Sequence, residues 1–368
     1  MFRFLTAGES HGKGLVVIVE GAPAGLNISE EYITRDLARR QVGYGRGGRM
    51  QIEQDKASIL SGVRHGLTMG GPIAIWVENK DWASGTGPDG VPWKAVMSSA
   101  PTDVEFERIT KVRPGHADTP GTAKYRQTDA RNILERSSAR ESTARVAAGS
   151  VARRFLEEFG VEVHGHVTNI GGVHADETAF VDWAALEEPA YHRDRPEGSK
   201  MAAVRCIDPL AAQRMVEVID AVREAGDSVG GIIEVIATGL PIGLGTYIQW
   251  DRKLTTRLAA AVMSINAVKG VEFGSGFAQG DLRGSQVHDI VKPIKEWDLS
   301  PDGGWLKPWS RRTNNSGGLE GGMTTGEPLV VRAVVKPIAT IMSGLETVDL
   351  DTGEFVQKAH FERSDITF

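Results

Sequence analysis

The sequence predicts a fold of mixed helices and strands, built as one integrated domain over residues 1–368. Short apolar runs bounded by glycine and proline, which are typical of strands, alternate with longer segments whose apolar residues recur every three or four positions, as in amphipathic helices. No linker or low-complexity tract divides the chain. The alternation leaves two arrangements open, a doubly wound parallel sheet and an α+β arrangement with antiparallel sheets.

In the first part of the chain, a polar turn, Gly8-Glu9-Ser10-His11-Gly12, separates two predicted strands. Ser29 is followed by two glutamates, which is typical of a helix N-terminus, and this helix is expected to deliver Arg39 and Arg40 to a glycine-rich loop. The elements expected here are strands at residues 2–6, 15–20 and 72–78, the helix after Ser29, and an irregular segment at 79–110.

In the second part of the chain, a long helix is predicted after Arg136. Its apolar residues recur every three or four positions from Ala144 to Phe159, and Gly160 ends the pattern. Asp208-Pro209 is typical of another helix start. The other elements expected here are helices at 208–226 and 251–265, strands at 232–237 and 329–335, and an irregular segment at 297–322.

Composition and charge exclude several classes of protein. The chain is 40% hydrophobic and 24% charged, which is typical of a globular protein. A net charge of −6 gives little support for a nucleic-acid partner. No long apolar run indicates a signal peptide or membrane span, and the single cysteine, Cys206, allows no intrachain disulfide. We therefore expect a cytoplasmic protein that binds neither membrane nor nucleic acid.

Four arginines fall within eleven residues of this acidic chain, at positions 39, 40, 46 and 49, and glycines 43, 45, 47 and 48 lie among them. A guanidinium group binds phosphate and carboxylate through two parallel hydrogen bonds, and glycines let such groups converge without clashes. The segment predicts a site for a multiply anionic ligand; the alternative is a solvated basic turn. It is not a P-loop, because no Gly-Lys-Ser/Thr follows.

A second anion site is predicted at Arg136, Ser137 and Ser138. These residues stand directly before the predicted long helix, whose first N–H groups lack partners within the helix and bind phosphate readily. The alternative is an ordinary serine cap.

Two histidines, His11 and His116, lie in glycine-containing contexts and are candidate acids or bases near neutral pH. His164 and His166 share one face of a predicted strand, but no cysteine or carboxylate partner is evident for them. The sequence therefore predicts no metal site.

Further glycine-rich or small polar segments are of a kind that wraps a planar cofactor, although each is also typical of a simple turn. They are Asn266-Ala267, Asn314-Asn315-Ser316-Gly317-Gly318-Leu319-Glu320-Gly321-Gly322, Lys336-Pro337-Ile338-Ala339-Thr340 and Arg363-Ser364-Asp365.

Taken jointly, these clusters resemble the chorismate synthase family. No single motif is specific, but the motifs occur in order along essentially the whole chain, at residues 7–12, 43–47, 113–118, 135–141, 317–326 and 363–365. Two departures are present. Thr119 stands where relatives commonly have an aromatic residue. Relatives also continue beyond the position of Asp365 through an apolar segment and a helix, so a C-terminal segment is expected to be missing.

The resemblance implies a β-α-β sandwich, an α+β fold with helices packed between antiparallel sheets, assembled as a homotetramer. It implies the last step of the shikimate pathway, in which 5-enolpyruvylshikimate 3-phosphate loses phosphate and a C6 hydrogen and becomes chorismate. The family requires reduced FMN, yet the reaction has no net redox change. The substrate implied by the resemblance has two carboxylates and a phosphate, and the flavin adds another phosphate, which fits the clustered arginines of this acidic chain.

By resemblance, His11 would protonate the departing phosphate, His116 would control flavin protonation, and Asp365 would manage the proton at flavin N5. Contacts to FMN are implied for Arg136, Ser137, Ser138, Asn266, Ala267, Gly321, Lys336, Pro337, Ile338, Ala339, Thr340 and Arg363. Contacts to the substrate are implied for Ser10, Arg40, Arg46, Arg49 and Arg140. The family also links Arg40 and Arg46 to NADP.

Two alternatives remain open at this point. The first is a flavin reductase, or a bifunctional enzyme that reduces its own FMN with NADPH; otherwise a separate flavin reductase would be the partner. No Gly-x-Gly-x-x-Gly opens a helix after a strand, which disfavours a Rossmann dinucleotide site. The second is a non-catalytic anion- or RNA-binding module at residues 39–49. The net charge and the lack of aromatic residues clustered beside those arginines disfavour it.

Overall fold

A computed structural model gives the fold. We describe residues 2–46, 54–176, 183–188, 190–191, 197–293, 309–361 and 365–368. The helices of the described residues are α1 (Glu30–Gln41), α2 (Lys80–Ser84), α3 (Trp93–Val96), α4 (Asp118–Tyr125), α5 (Arg131–Ser137), α6 (Ser142–Glu157), α7 (Lys200–Val204), α8 (Pro209–Glu224), α9 (Leu254–Met263) and α10 (Gly284–Val287).

The strands of the described residues form several small sheets and two larger ones. These strands are β1 (Arg3–Ala7), β2 (Gly14–Glu20), β3 (Ala24–Asn27), β4 (Ala57–Ser61), β5 (Val63–Arg64), β6 (Leu67–Met69), β7 (Ile73–Glu78), β8 (Glu162–Ile170), β9 (Val173–His174), β10 (Gly231–Thr238), β11 (Val268–Phe273), β12 (Val291–Pro293), β13 (Trp309–Arg311), β14 (Leu319–Glu320), β15 (Met323–Thr324), β16 (Leu329–Val335), β17 (Thr347–Val348) and β18 (Phe355–Val356).

All pairings between these described strands are antiparallel, so the structure excludes the doubly wound parallel alternative. The first larger sheet has the strand order β1-β2-β7-β4, and the second has the order β11-β16-β10-β8-β9. The prediction of an α+β fold with antiparallel sheets is confirmed.

The first sheet buries one face against two helices. Alternate residues of β2 and β7 are buried, which is the period of a strand with one face in the core. Ile33 and Leu37 of α1 complete this core together with the alanines of α6. The members of the core cluster that come from β2, β7 and α6 are Leu15, Val17, Val19, Ile73, Ile75, Val77, Ala144, Ala147, Ala148 and Val151.

The second sheet has its own core, in which α8 packs against β8 and β9. Met215 and Ile219 of α8 are fully buried beside Val167 and Ile170 of β8. The helix α6 contacts both β2 of the first sheet and β8 of the second. Helical layers therefore lie between the antiparallel sheets.

Several predicted elements differ from the structure. The segment 79–110 is not wholly irregular, because α2 and α3 form within it. The predicted helix at 251–265 is a 3-10 turn, Trp250–Arg252, followed by α9. Of the segment 297–322, residues 297–308 lie outside the described part, and the rest contains β13 and β14.

No helix among the described residues is both long and apolar enough to cross a membrane.

Candidate active site

The turn between β1 and β2 is held in one conformation by buried groups. Gly8 has φ +110°, and a Cβ there would lie 2.3 Å from a carbonyl oxygen of the chain, so the position requires glycine. The buried Asn79 amide donates to the carbonyl oxygens of Glu9 and Gly12 at 3.0 and 2.8 Å. Asn79 Oδ1 in turn accepts from Arg140 Nε at 3.0 Å. Arg140 therefore supports the turn through Asn79.

His11 lies on this turn, and a carboxylate and an aromatic ring hold its own ring. His11 Nδ1 lies 2.9 and 3.1 Å from the two carboxylate oxygens of Glu135, and its main-chain N–H donates to Glu135 Oε2 at 2.8 Å. The Trp93 ring stacks on the imidazole at a centroid distance of 3.9 Å and an interplanar angle of 11°. A carboxylate only accepts hydrogen bonds, so Nδ1 carries a proton and Nε2 is the nitrogen that exchanges one.

Glu135 is a buried anion. Arg131 Nη1 donates to its Oε1 at 3.0 Å. Burial opposes ionisation of this carboxyl, but the hydrogen bonds and charge of His11, with the charge of Arg131, outweigh it and hold the pKa of Glu135 below its ordinary value.

Two guanidinium groups share one buried carboxylate behind the turn. Asp55 lies 2.7 Å from Arg140 Nη1 and 3.6 Å from Arg40 Nη1. Arg40 Nε also donates to Ser142 Oγ at 2.8 Å. Burial and the neighbouring charge of Arg140 lower the pKa of Arg40 to about 10, so it remains cationic at neutral pH. The two cations outnumber the anion, which favours an anionic ligand here.

Arg46 and Asp365, which are far apart in sequence, form an ion pair at 3.2 Å. The main-chain N–H of Ile366 donates to the carbonyl oxygen of Gly45 at 2.9 Å. The segment around Asp365 therefore lies against the arginine-rich loop, and the structure brings a predicted substrate-binding residue and a predicted catalytic residue together. Two other predicted residues, Arg49 and Arg363, lie outside the described residues.

The prediction that Arg136, Ser137 and Ser138 stand directly before a long helix is wrong. Arg136 and Ser137 are the last residues of α5, and Ser138 caps a short 3-10 turn, Ala139–Glu141, which precedes α6. The Ser138 hydroxyl donates to Ser10 Oγ at 3.2 Å, so the junction still lies against the His11 turn. The apolar periodicity that marks α6 carries no sign of the short helix before it.

Arg136 anchors the junction to β1 and lines an open cavity. Its Nη2 donates to Thr6 O and Oγ1 at 3.0 and 2.7 Å, whereas its buried Nη1 has no hydrogen-bond partner among the described residues. The cavity has a volume of about 730 Å³, and its lining includes Ser137 and Ala117, the residue next to His116. This volume suits a cofactor-sized ligand.

His116 repeats the arrangement seen at His11. Its Nδ1 lies 2.6 Å from Asp118 Oδ1, and Arg113 Nε donates to the other carboxylate oxygen at 2.8 Å. Burial opposes ionisation of Asp118, but hydrogen bonds from His116 and Arg113 hold its pKa well below the ordinary value. Arg113 Nη1 also lies 3.3 Å from Thr340 Oγ1, which joins this cluster to the segment after β16.

Hydrogen bonds of Asn266 and Lys336 connect the end of α5, the residues after α9 and the residues after β16, all of which carry predicted flavin-binding residues. Asn266 Nδ2 donates to the carbonyl oxygen of Ser137 at 3.2 Å, and the carbonyl of Ala267 accepts from Lys336 N at 3.0 Å. Lys336 Nζ donates to the carbonyl oxygen of Gly115, beside His116. Burial lowers the pKa of Lys336. The segment 337–340 follows directly, and Ser228 Oγ donates to Ile338 O at 2.6 Å.

Gly321 is a predicted flavin-binding residue from a different part of the fold. It lies in the turn between β14 and β15 with φ +58°, and its nearest neighbours include Tyr247. The turn meets the start of α9, because Leu254 N donates to Gly322 O at 2.8 Å. Asn266 lies past the other end of α9, so about 15 Å of helix separates the two positions.

Several residues with clear structural roles received no role in the sequence analysis. Asp118 lies in the motif that contains His116, and Glu135 begins the motif that contains Arg136, but only Asp118 has a histidine close to it in the sequence. Trp93, Asn79 and Asp55 come from segments without a motif, so the sequence offered no signal for them.

His164 and His166 do have carboxylate partners, contrary to the prediction. His164 Nε2 lies 3.3 Å from Glu162, and His166 Nε2 lies 3.0 Å from the buried Glu234. The described residues contain no group of three or more histidine, cysteine, aspartate or glutamate side chains arranged to hold a metal ion.

Comparison with known proteins was made on the whole chain. A family model described as chorismate synthase matches residues 2–368. Chorismate synthase from Geobacillus thermodenitrificans (strain NG80-2) is 52% identical over 366 residues, covering 99% of this chain and 87% of the relative. Chorismate synthase from Bacillus velezensis (strain DSM 23117 / BGSC 10A6 / LMG 26770 / FZB42) is 51% identical over 368 residues, with the same coverage.

A solved structure titled "Crystal Structure of Chorismate Synthase" is also similar, with a TM-score of 0.69 and 42% sequence identity. The similarity covers 92% of this chain and 84% of that one. The residues matched by the family model include both histidine–carboxylate pairs. The chain therefore belongs to the chorismate synthase family of carbon–oxygen lyases.

Proposed function

We propose that this chain converts 5-enolpyruvylshikimate 3-phosphate to chorismate and phosphate by 1,4-elimination, with reduced FMN as a catalytic cofactor. The observation that carries the proposal is the His11–Glu135 pair, which lies on a turn supported by the cation-rich cluster of Arg40, Arg140 and Asp55. An elimination that expels phosphate needs cations for its anionic substrate and an acid for the leaving group.

The arginine-rich region would bind the substrate. Arg40 and Arg46 supply guanidinium groups suited to two carboxylates and a phosphate, and Ser10 supplies a hydroxyl beside His11. Arg140 is engaged by Asn79 and Asp55, so its main contribution is to fix the turn and raise the local positive charge. Substrate contact by Arg49 stays a prediction.

Residues of the α5–α6 junction and the segment after β16 fit an FMN site. The buried Arg136 Nη1, which lacks a hydrogen-bond partner among the described residues, suits a phosphate oxygen, and the Lys336 ammonium adds positive charge. Ser138, Asn266 and Thr340 offer further polar groups around the same network. Reduced FMN, when bound, supplies reducing electrons that are regained within each cycle.

Protons are handled by the chain's own side chains. The imidazolium of His11 would give its Nε2 proton to the departing phosphate oxygen. His116, held by Asp118 on the flavin side, would set the protonation of the cofactor, and Asp365 would hold a proton near it. Asp365 lies 3.2 Å from Arg46, so this carboxyl group stands beside the proposed substrate-binding arginine.

The protein is proposed to act in the cytoplasm as a homotetramer. Tyr247, Ile248 and Trp250 are exposed by 68%, 65% and 73%, and Phe277 by 83%. Large exposed apolar side chains close together in the chain are typical of subunit contacts. A separate flavin reductase is the proposed source of reduced FMN.

The test is an anaerobic assay of purified protein with the substrate and photoreduced FMN. Chorismate and phosphate should appear together, and oxidised FMN should support neither. A second assay contains NADPH and oxidised FMN but no added reductase, and it tests the bifunctional alternative. Turnover under those conditions would show that the chain reduces its own flavin. Absence of product with reduced FMN would contradict the proposed function.

A further inference from the structure

The ring of His11 is fixed on two sides by residues that come from outside its own turn. Glu135 of α5 accepts from both the ring Nδ1 and the main-chain N–H of the same histidine. A side chain held at both its backbone and its ring cannot rotate about its χ angles without losing a contact. The side chains of His11 and Glu135 are 12% and 1% exposed, so little water is available to replace these contacts.

The charged groups around His11 are Glu135 in direct contact, with Arg131 and Glu9 farther away. Glu135 is anionic and in direct contact. Arg131 lies behind Glu135 and offsets part of that negative charge, while Glu9 of the turn is exposed and contributes weakly. An anion at hydrogen-bond distance in a buried setting outweighs a cation one contact farther away.

Trp93 supports the His11 ring from one face. Its ring lies parallel to the imidazole at 3.9 Å, and the Arg131 guanidinium lies 5.1 Å from its centroid. The face of an indole ring carries negative charge density and attracts a cation more than a neutral ring. Trp93 is 5% exposed, so it also shields the His11–Glu135 pair from water.

We infer that Glu135 is a positioning residue for the elimination, which holds the His11 ring with Nδ1–H fixed and Nε2 presented to the leaving group, with Trp93 as its aromatic support. The inference rests on the proposed role of His11 as the acid. In the step, the Nε2–H bond breaks and an O–H bond forms on phosphate, while the C–O bonding electrons leave with the phosphate oxygen. Water returns the proton to Nε2 after product release.

The principal variant is Glu135→Gln, which keeps the shape and an acceptor oxygen but removes the charge. We expect kcat to fall about 10- to 100-fold, a part of the roughly 10²–10⁴-fold that general acid catalysis contributes. KM for the substrate and the affinity for FMN should change less than about twofold. The alkaline limb of the kcat–pH profile should move to lower pH by about one unit.

Glu234→Gln is the matched control. Glu234 is also a buried glutamate held by a histidine and an arginine, His166 and Arg332, but it lies on the second sheet. Glu234→Gln removes the charge of a comparable buried glutamate but leaves the contacts of His11 intact. An unchanged pH profile in Glu135→Gln, or an equal shift in Glu234→Gln, would overturn the inference, as would a kcat equal to that of the unaltered protein.

A second measurement needs no variant and no turnover. Nitrogen NMR of the ¹⁵N-histidine-labelled protein reports which ring nitrogen keeps its proton when His11 becomes neutral. The inference requires the Nδ1–H tautomer, and an Nε2–H tautomer would overturn it even if Glu135→Gln fails to fold. If the unaltered protein makes no chorismate, the proposed function fails, whereas the tautomer still shows whether Glu135 holds the ring.

Discussion

At the scale of single residues, the chain uses one device twice. His11 and His116 each have Nδ1 on a buried carboxylate, Glu135 and Asp118, and each of those carboxylates is shared with an arginine. The carboxylate fixes the tautomer and leaves Nε2 as the nitrogen that changes its protonation state. The histidine and the arginine together keep the carboxylate ionised despite burial.

Replacement of either histidine should therefore abolish most turnover without unfolding the protein. For His11→Ala and His116→Ala we expect kcat to fall about 10²–10⁴-fold, because each substitution removes a proton-transfer group. Steady-state anaerobic kinetics measures this, with circular dichroism as the check on folding. His174→Ala, which alters an exposed histidine of β9, is the control. Near-normal turnover in either variant would remove that histidine from the mechanism.

Substitutions at the two proposed anion sites should affect the binding of different ligands. Arg46→Ala should weaken substrate binding more than FMN binding, because Arg46 lies on the arginine-rich loop beside Asp365. Arg136→Ala should do the reverse, because Arg136 lies at the α5–α6 junction. Titrating each ligand separately against both variants makes each the control of the other. Lost FMN affinity with normal substrate affinity in Arg46→Ala would show that the two sites are assigned the wrong way round.

At the scale of elements, the site is made where turns are tied to helices by buried ion pairs. Glu135 of α5 holds the turn between β1 and β2, and Asp118 of α4 holds the loop that carries His116. Asn266, past the end of α9, joins α5 to the segment after β16. These ties, and not the turns' own sequences, set the geometry.

These ties predict how stability depends on pH. The pKa values of Glu135 and Asp118 are lowered in the folded protein. In the unfolded chain these carboxyl groups have their ordinary pKa values, 4.5 for Glu135 and 3.8 for Asp118. A carboxyl group whose pKa is lower in the folded state stabilises the fold at pH values above its unfolded pKa, and this stabilisation is lost as the pH falls below that value.

The difference in unfolding free energy between the unaltered protein and Asp118→Asn should therefore shrink as pH falls from about 6 to 3. Urea denaturation at each pH measures it. Glu105→Gln, at an exposed carboxylate, should show no such trend. A difference that stays constant over this range would mean that Asp118 does not contribute through its charge.

Sequence periodicity predicted the longer elements and missed the short ones. The core-facing alternation of β2 and β7 and the apolar stripe of α6 are direct consequences of one buried face, so they were visible. The helix α5 spans Arg131–Ser137, which is too short for a periodic pattern, and it displaced the predicted helix start at Arg136. Trp93 and Asn79 reach the site only through tertiary packing, which no local pattern encodes.

At the scale of the whole molecule, a net charge of −6 coexists with a locally cationic site. The acidic remainder disfavours nonspecific anion binding, while Arg40, Arg46 and Arg140 concentrate positive charge at one place. Tyr247, Ile248 and Trp250, which precede α9 in the chain, have exposed apolar side chains. Tyr247 lies beside the Gly321 turn.

If this surface forms a subunit contact, a charged side chain placed on it should weaken assembly. Trp250→Asp should shift the protein from the proposed tetramer towards smaller species, because a carboxylate buried at the proposed subunit contact is costly. Size-exclusion chromatography with light scattering measures the mass. Phe159→Asp, at another exposed aromatic residue, should leave it unchanged. A tetramer that persists in Trp250→Asp would place the subunit contact elsewhere.

The proposed reaction is a redox-neutral elimination that uses reduced FMN as a catalyst. The most direct measurement is an anaerobic reaction with photoreduced FMN far below the substrate concentration, in which chorismate, phosphate, NADPH absorbance and the flavin spectrum are followed together. We expect equal amounts of chorismate and phosphate, many turnovers per flavin, reduced flavin at the end, and no loss of added NADPH. Chorismate that never exceeds the flavin supplied, or that tracks NADPH consumption one for one, would contradict the account.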